Sequence, residues 1–221
     1  MKMTIVTLIL LLAACGGERV EREESGAAPA SGAGTSAAEA AAAPPVTVRN
    51  ADGSELLRLT EADGVVEISF SEGGSKRTLR GEERDTGKRK YQVDGGPVMF
   101  EVKPDNDSEG FKLRLADGSL RWKVKVAPEK IKISDNEQNA NPFELKVREG
   151  DRVKVVAPGD REIGNVRLDS AGAKTEVEAA GKTVFVVEGS RPSGAYGVLL
   201  LDSVPQVQRY IVLAELLSRG R

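Results

Sequence analysis

The side chains that most often carry enzyme and metal chemistry are almost absent from this chain. Its 221 residues include one cysteine and no histidine. Without histidine, neither Ser-His-Asp nor Cys-His catalysis can be assembled, and zinc, haem and iron–sulfur sites lack their usual ligands. A lone cysteine also excludes an intramolecular disulfide. We therefore expect no cofactor, no metal and no catalytic residue of these classes.

The single cysteine, Cys15, stands in a context that suggests covalent modification. Lys2 precedes an apolar run over residues 3–12, and Ala13 and Ala14 follow it. The run is too short to cross a bilayer, which needs about twenty residues, and it suits the core of a signal peptide. This segment resembles the lipobox of bacterial lipoproteins, which implies cleavage before Cys15 and lipidation of that residue. An ordinary secretory signal with a coincidental cysteine is the alternative.

The lipobox resemblance implies an organisation and a location. Residues 1–14 would be the signal peptide, and residues 15–45 a lipidated cysteine with a disordered tether rich in Ala, Gly, Pro and Glu. Residues 46–221 would be the globular domain. Gly16, rather than an aspartate, follows the cysteine, which implies a periplasm-facing outer-membrane location if the source is Gram-negative. The expected partner is a membrane, contacted through the anchor at Cys15.

Basic side chains form the second group with functional potential. The chain carries 32 basic and 34 acidic residues, so its overall charge selects neither nucleic acid nor a membrane, and any electrostatic role must be local. Seven basic residues alternate with apolar ones along a short stretch, and they are our candidate anion-binding residues. They are Lys112, Arg114, Arg121, Lys123, Lys125, Lys130 and Lys132. A pair of carboxylates brought together by the fold is the alternative chemistry, that of a glycosidase-type hydrolase.

The elements that must position these side chains are β-strands. Apolar and charged residues alternate at period two in stretches such as 111–115, 121–126 and 143–148, which is typical of antiparallel strands with one buried face. Asp-Gly pairs at 52–53, 63–64, 94–95 and 117–118 indicate hairpin turns. The sequence therefore predicts a mainly β domain, an antiparallel meander that closes into a barrel or a sandwich.

Two further patterns refine this prediction. The sequence Ala-Asp-Gly-Ser at 51–54 recurs at 116–119, which suggests two halves of about 65 residues. At the other end of the chain, apolar residues recur at helical spacing over 203–219, with Ser203 and Gln206 as a capping pair and Gly220 as a stop. An apolar helix of this kind should pack on or inside the β domain.

The combination of an Asp-Gly-rich meander and one apolar C-terminal helix resembles a known architecture. Residues 111–118, 197–201 and the final helix are similar to the tubby-like fold of LURP-one-related and phospholipid-scramblase-like proteins. That resemblance implies a β-barrel threaded by its last helix.

The hairpin turns also predict a register for the basic stretch. A two-residue loop at 117–118 would pair Arg114 with Arg121 and Lys112 with Lys123, and a four-residue loop at 126–129 would pair Lys123 with Lys132. All seven basic residues would then share one solvent face with no acid among them. Glu101 and Glu144 on neighbouring strands are candidates to neutralise it.

The functional expectation combines the anchor and the basic face. We expect a lipid-anchored envelope protein whose non-enzymatic domain is structural or binds an anionic lipid headgroup, glycolipid or acidic polymer. No nucleic-acid partner is expected in this compartment. The alternative is a carboxylate-dependent hydrolase that acts on envelope polymers.

Overall fold

The computed structural model describes residues 43–85, 87–106, 109–149, 151–169, 174–189 and 191–221. Cys15, the predicted signal peptide and most of the predicted tether lie outside the described residues. The first strand begins at Ala43, three residues before the predicted start of the domain at Val46. All of the elements below belong to one compact unit, Glu39–Arg221.

Fourteen strands and two helical segments make up the described part of the chain. The strands are β1 Ala43–Asn50, β2 Glu55–Ala62, β3 Val65–Glu72, β4 Ser75–Asp85, β5 Lys88–Val93, β6 Val98–Asp105, β7 Gly110–Leu115, β8 Leu120–Ala127, β9 Lys130–Ser134, β10 Phe143–Arg148, β11 Arg152–Ala157, β12 Arg161–Leu168, β13 Lys174–Ala179 and β14 Lys182–Glu188. A 3-10 helix, Gly194–Leu200, and an α-helix, α1 Gln206–Ser218, follow the last strand.

The strands form one closed antiparallel barrel. Each strand pairs with its neighbour in sequence, and β1 closes the ring by pairing with β14. At the closure Thr47 lies opposite Glu188 and Val48 lies opposite Val187. Because the ring is closed, none of the described strands presents a free edge to solvent. This confirms the predicted meander in its barrel form, and every strand finds both partners within residues 43–188.

The interior of the barrel is filled by the C-terminal segment of the chain. A barrel of this many strands is too wide to be filled by the side chains of its own strands. Eight consecutive residues of α1, Tyr210–Leu217, are buried, so these two turns have no solvent-facing side. Side chains from separate parts of the wall contact the helix: the Phe70 ring lies 5.2 Å from that of Tyr210, and Trp122 donates to Gln208 at 2.6 Å. The helix therefore packs inside the barrel.

The 3-10 helix packs directly against strands β10–β13. Gly164 on β12 makes this approach possible, because a Cβ atom there would lie 2.5 Å from Leu200 Cδ1 and 2.1 Å from the carbonyl oxygen of Glu178. The alternation that predicts the strands does not extend to this region. Residues 198–201 are apolar without alternation, and a short apolar run that is buried on all sides cannot be assigned to strand or helix by periodicity.

The predicted bounds of α1 need one correction. The expected cap at Ser203 does not form; Pro205 is the N-cap residue and no side chain caps the helix. Gln206 instead donates to the hydroxyl of Tyr210 at 2.8 Å. The predicted stop is confirmed, because the amide of Gly220 donates to the carbonyl of Leu217.

The turn at 117–118 departs from the predicted geometry and shifts the register. Asp117 keeps a negative φ while Gly118 has φ +86°, and the amide of Gly118 donates to the carbonyl of Leu115. This is a type I turn followed by a glycine bulge, which inserts one residue on the β8 side. Arg114 consequently lies opposite Leu120, not Arg121. Gly53, in the first copy of the repeated sequence, has the same φ and the equivalent bond to Asn50, six strands earlier.

One polar cluster lies among the buried apolar residues, and we call it the Glu215 cluster: Arg89, Tyr91, Glu215 and Arg219. The carboxylate of Glu215 accepts from Arg89 Nη1 at 2.8 Å, from the Tyr91 hydroxyl at 2.8 Å and from Arg219 Nη2 at 3.0 Å. Burial raises the pKa of the Tyr91 hydroxyl well above its usual value, and the charge of Glu215 raises it further. These bonds explain how an enclosed helix carries a charged residue.

Candidate anion-binding face

The first part of the predicted basic face is neutralised within the protein. Lys112 and Lys123 lie opposite each other as predicted, and both approach Asp105 and Glu137. Lys112 Nζ lies 2.8 Å from Glu137 Oε2 and 3.5 Å from Asp105 Oδ1. Lys123 Nζ lies 3.7 Å from Asp105 Oδ2 and 3.8 Å from Glu137 Oε2, and its side chain is only 6% exposed. These two cations are therefore neutralised by Asp105 and Glu137, which the sequence analysis did not name, and not by Glu101 or Glu144.

The loop between β9 and β10 supplies this neutralisation. It places Glu137 against β7 and β8, and the carbonyl of Glu137 accepts a bond from Lys123 at 3.1 Å. Asn136 holds the loop by accepting from the amide of Ala140 and donating to its carbonyl. The hydrogen bond from Lys112 lowers the pKa of Glu137. Strand alternation indicates which face is polar but contains no signal for a loop that folds over that face.

Arg114 and Arg121 occupy different surroundings because of the bulge. Arg114 donates to Glu137 Oε1 at 2.9 Å and to the carbonyl of Gly118 at 2.8 Å. Arg121 is exposed beside the turn, where its charge helps to lower the pKa of Asp117, after the stronger effect of the hydrogen bonds from Ser119. Neither residue continues the row of cations that the sequence predicts.

The remaining candidates, Lys125, Lys130 and Lys132, belong to a different group. The loop between β8 and β9 contains two residues, not four, so Lys125 lies opposite Lys132. A shift of two residues leaves every side chain on its predicted face but changes its partner. Glu144 on β10, an expected neutralising residue, lies 3.4 Å from Lys132 and 4.0 Å from Lys130. The other expected residue, Glu101, pairs with Lys103.

The basic surface continues across β10 and β11, which the sequence reasoning missed. Lys146 lies opposite both Lys130 and Lys154, so three lysines form one cross-strand row. In a second row, Arg152 lies opposite both Arg148 and Arg167. The alternation of residues 143–148 and 152–154 marks both segments as strands, but it does not show that β10 pairs with β9 and that β11 pairs with β10.

We define the β8–β11 cationic face as the basic residues of these four strands. The strands contain nine basic residues and one acid, Glu144. The nine are Arg121, Lys123, Lys125, Lys130, Lys132, Lys146, Arg148, Arg152 and Lys154. Like charges directly opposite on neighbouring strands destabilise a sheet, so this arrangement costs stability.

Glu144 is central to this face. Its carboxylate lies 2.5 Å from Lys146 Nζ in addition to its contacts with Lys130 and Lys132. Burial alone would raise the pKa of Glu144, but the bonds from Lys146 and Lys132 outweigh burial and lower it. At the edges, Lys154 pairs with Glu162 at 2.7 Å and Lys146 with Asp160 at 3.5 Å. One half-buried carboxylate is thus shared by three lysines, and the face retains a net positive charge.

Two further observations bear on the chemistry of the domain. Among the described residues, no three acidic or cysteine side chains converge as a metal site. No helix in the described ranges combines the length and apolarity needed to cross a bilayer. Comparison of the chain with protein-family models, with curated proteins and with solved structures finds no match.

Proposed function

We propose that this chain is a lipid-anchored protein of the bacterial cell envelope whose non-enzymatic β domain binds an anionic envelope component through the β8–β11 cationic face. The observation that carries the proposal is the charge of four neighbouring strands, which hold eight exposed or half-buried basic residues besides the neutralised Lys123, and one acid, Glu144. Membrane headgroups, glycolipid phosphates and acidic polymers share the chemistry that such a face would attract.

The geometry supports binding to an extended anionic surface. Lys130, Lys146 and Lys154 stand side by side on three adjacent strands, and neighbouring strands in a sheet are about 4.8 Å apart. Each Lys or Arg close to an anionic membrane contributes on the order of 1 kcal/mol. A bound anion would also relieve the repulsion between these side chains. This proposed binding face is centred one or two strands further along the chain than the basic face predicted from the sequence.

The anchor is a proposal from the sequence alone. Cys15 lies in the lipobox-like segment, and Gly16 favours outer-membrane placement facing the periplasm in a Gram-negative source. The test is to express the full chain in bacteria fed labelled palmitate. We expect the label on the protein and its loss in Cys15→Ser, and a protein that never takes up label would refute the anchor.

The binding proposal is tested with vesicles and the segment 39–221, which contains the whole closed barrel. We expect this segment to co-sediment with vesicles of phosphatidylglycerol in phosphatidylcholine at low salt and to be released as salt screens the charges. Lys146→Glu with Lys154→Glu should weaken binding about 30-fold or more, since at least two favourable contacts are lost.

A matched control distinguishes binding through this face from an effect of the protein's net charge. Lys76→Glu with Lys90→Glu makes the same change in charge on β4 and β5, about six strands away around the barrel. We expect the control to bind nearly as well as the unmodified segment. Equal loss in both variants, or no binding to anionic vesicles at low salt, would refute the proposal.

A further inference from the structure

An apolar pocket opens at one end of the barrel. Its volume is about 270 Å³. The ends of β8 and β10 and the starts of β9 and β11 form one wall, and their apolar lining includes Val126, Ile131, Leu145 and Val153. The opposite wall is the first turn of the 3-10 helix with the residues just before it. The pocket is therefore the part of the barrel mouth that the C-terminal segment leaves unfilled.

The wall formed by the 3-10 helix is held in place from both sides. The Ser193 hydroxyl accepts from the amide of Ala195 at 3.0 Å and donates to the carbonyl of Arg221. Gly194 packs so closely on Val153 that a Cβ atom there would lie 2.6 Å from Val153 Cγ2. The pocket is thus preformed and does not depend on movement of this segment.

Two arginines and one acid, Asp151, stand at the rim, and the charge of Arg152 also helps to lower the pKa of Glu162. Arg148 and Arg152 lie directly opposite each other on β10 and β11, and both line the pocket. Within the described ranges neither forms a salt bridge, although most of the other arginines do. Beside them is Val147, whose side chain is 52% exposed and which is one of two large apolar residues exposed in the described part of the chain.

We infer that this pocket binds a fatty acid, with the alkyl chain among the apolar residues and the carboxylate held by Arg148 and Arg152. Guanidinium groups bind carboxylates through paired, charge-assisted hydrogen bonds. The volume lies just below the range of about 300–1,000 Å³ that is typical of small-molecule sites, so one chain fits and a two-chain lipid does not. The inference goes beyond the proposed function, because its ligand is a monomer and not a surface.

The experiment measures binding of laurate, below its micelle concentration, to the segment 39–221 by isothermal titration calorimetry. We expect one saturable site for laurate, weaker binding of dodecylammonium, which has a similar chain and the opposite charge, and none of acetate. Arg148→Ala with Arg152→Ala should weaken laurate binding by at least 10-fold, the effect of losing one charge-assisted hydrogen bond. Absence of saturable binding, or equal affinity for dodecylammonium, would overturn the inference.

Two variants of exposed apolar residues locate the site. Val147→Asp places a carboxylate in the pocket lining and should reduce laurate affinity, whereas Met99→Asp alters the other exposed apolar residue, on β6, and should leave it unchanged. Urea unfolding of each variant checks that the barrel is intact. If Met99→Asp reduces affinity as much as Val147→Asp does, the pocket assignment is wrong.

The proposal for the pocket and the proposal for the cationic face can be refuted independently. Lys146 and Lys154 do not line the pocket, so Lys146→Glu with Lys154→Glu should retain laurate binding even where vesicle binding is lost. If the segment binds laurate but does not bind anionic vesicles, the fatty-acid pocket is supported and only the proposal for the β8–β11 cationic face is rejected. Loss of laurate binding in this lysine variant would overturn the assignment to Arg148 and Arg152.

Discussion

Replacing Glu215 by leucine should destabilise the barrel more than the loss of any exposed ion pair. Glu215 is 1% exposed and accepts bonds from Arg89, Tyr91 and Arg219. Without it, the side chain of Arg89, only 8% exposed, keeps one acid, Glu83, at 3.7 Å. Removing one partner of a buried ion pair costs about 3–5 kcal/mol. Against a typical total of about 5–15 kcal/mol, this is a large fraction of the stability.

The assay is urea and thermal unfolding of the segment 39–221, followed by far-ultraviolet circular dichroism. For a domain of this size, each kcal/mol shifts the midpoint temperature by about 2–4 °C, so Glu215→Leu should lower it by about 6–20 °C. The control is Glu188→Leu, which removes an ion pair of similar length, 2.9 Å to Arg49, at the surface. That change should cost less than about 1 kcal/mol, because exposed pairs contribute little.

A double variant separates charge from packing. Arg89→Met with Glu215→Leu removes both charges, and apolar replacement of a buried pair is often neutral or stabilising. We expect the double variant to regain most of the stability lost in Glu215→Leu. If the double variant is as unstable as the single one, or if Glu215→Leu costs no more than Glu188→Leu, our account of the cluster is refuted.

Two further predictions concern the barrel interior. Burial raises the pKa of Tyr91, Tyr196 and Tyr210 above the usual value of about 10, so the unfolded chain releases these protons first. The stability that these tyrosines contribute should be complete below about pH 10 and be lost as the pH rises above it, and urea midpoints that do not change between pH 9 and 11 would contradict this. Gly164→Val should prevent stable folding because its Cβ would lie 2.1 Å from the carbonyl oxygen of Glu178 on β13 and 2.5 Å from Leu200 Cδ1 in the 3-10 helix. Gly159→Ala, with open space around it, should cost only about 1–2 kcal/mol for its positive φ, and comparable midpoints for the two variants would count against this close packing around Gly164.

Much of the wall could be predicted from local rules. Alternation fixed which side chains point inward, as in β3, where Val66, Ile68 and Phe70 are buried and the residues between them are not. The four Asp-Gly pairs located four of the hairpins. Because consecutive hairpins with no long connection leave only a meander, the antiparallel order followed as well. The exact register did not follow, since it depends on a glycine bulge at Gly118 and on the length of the next loop.

What lies over or inside the wall could not be predicted in the same way. Glu137 reaches Lys112 through a loop whose path depends on bonds made by Asn136, and no periodicity encodes such a path. Residues 198–200 lie in the 3-10 helix that packs against the barrel wall, although their composition is equally typical of a buried strand. The basic residues predicted on β8 and β9 belong to the cationic face, but its extension onto β10 and β11 depends on which strands become neighbours in the barrel.

The position of α1 inside the barrel has a consequence for the order of folding. Most strand pairs are hairpins between sequence neighbours, so they can form early and at low entropic cost. The closure of β1 with β14, by contrast, joins residues 47 and 188, and the segment that fills the barrel follows the last strand in the chain. If the ring closed before this segment entered, the residues that fill the barrel would be left outside it. The last strand pair of the ring must therefore form only after the C-terminal helix has entered the barrel. A nascent chain that still lacks its last thirty or so residues should have an open barrel.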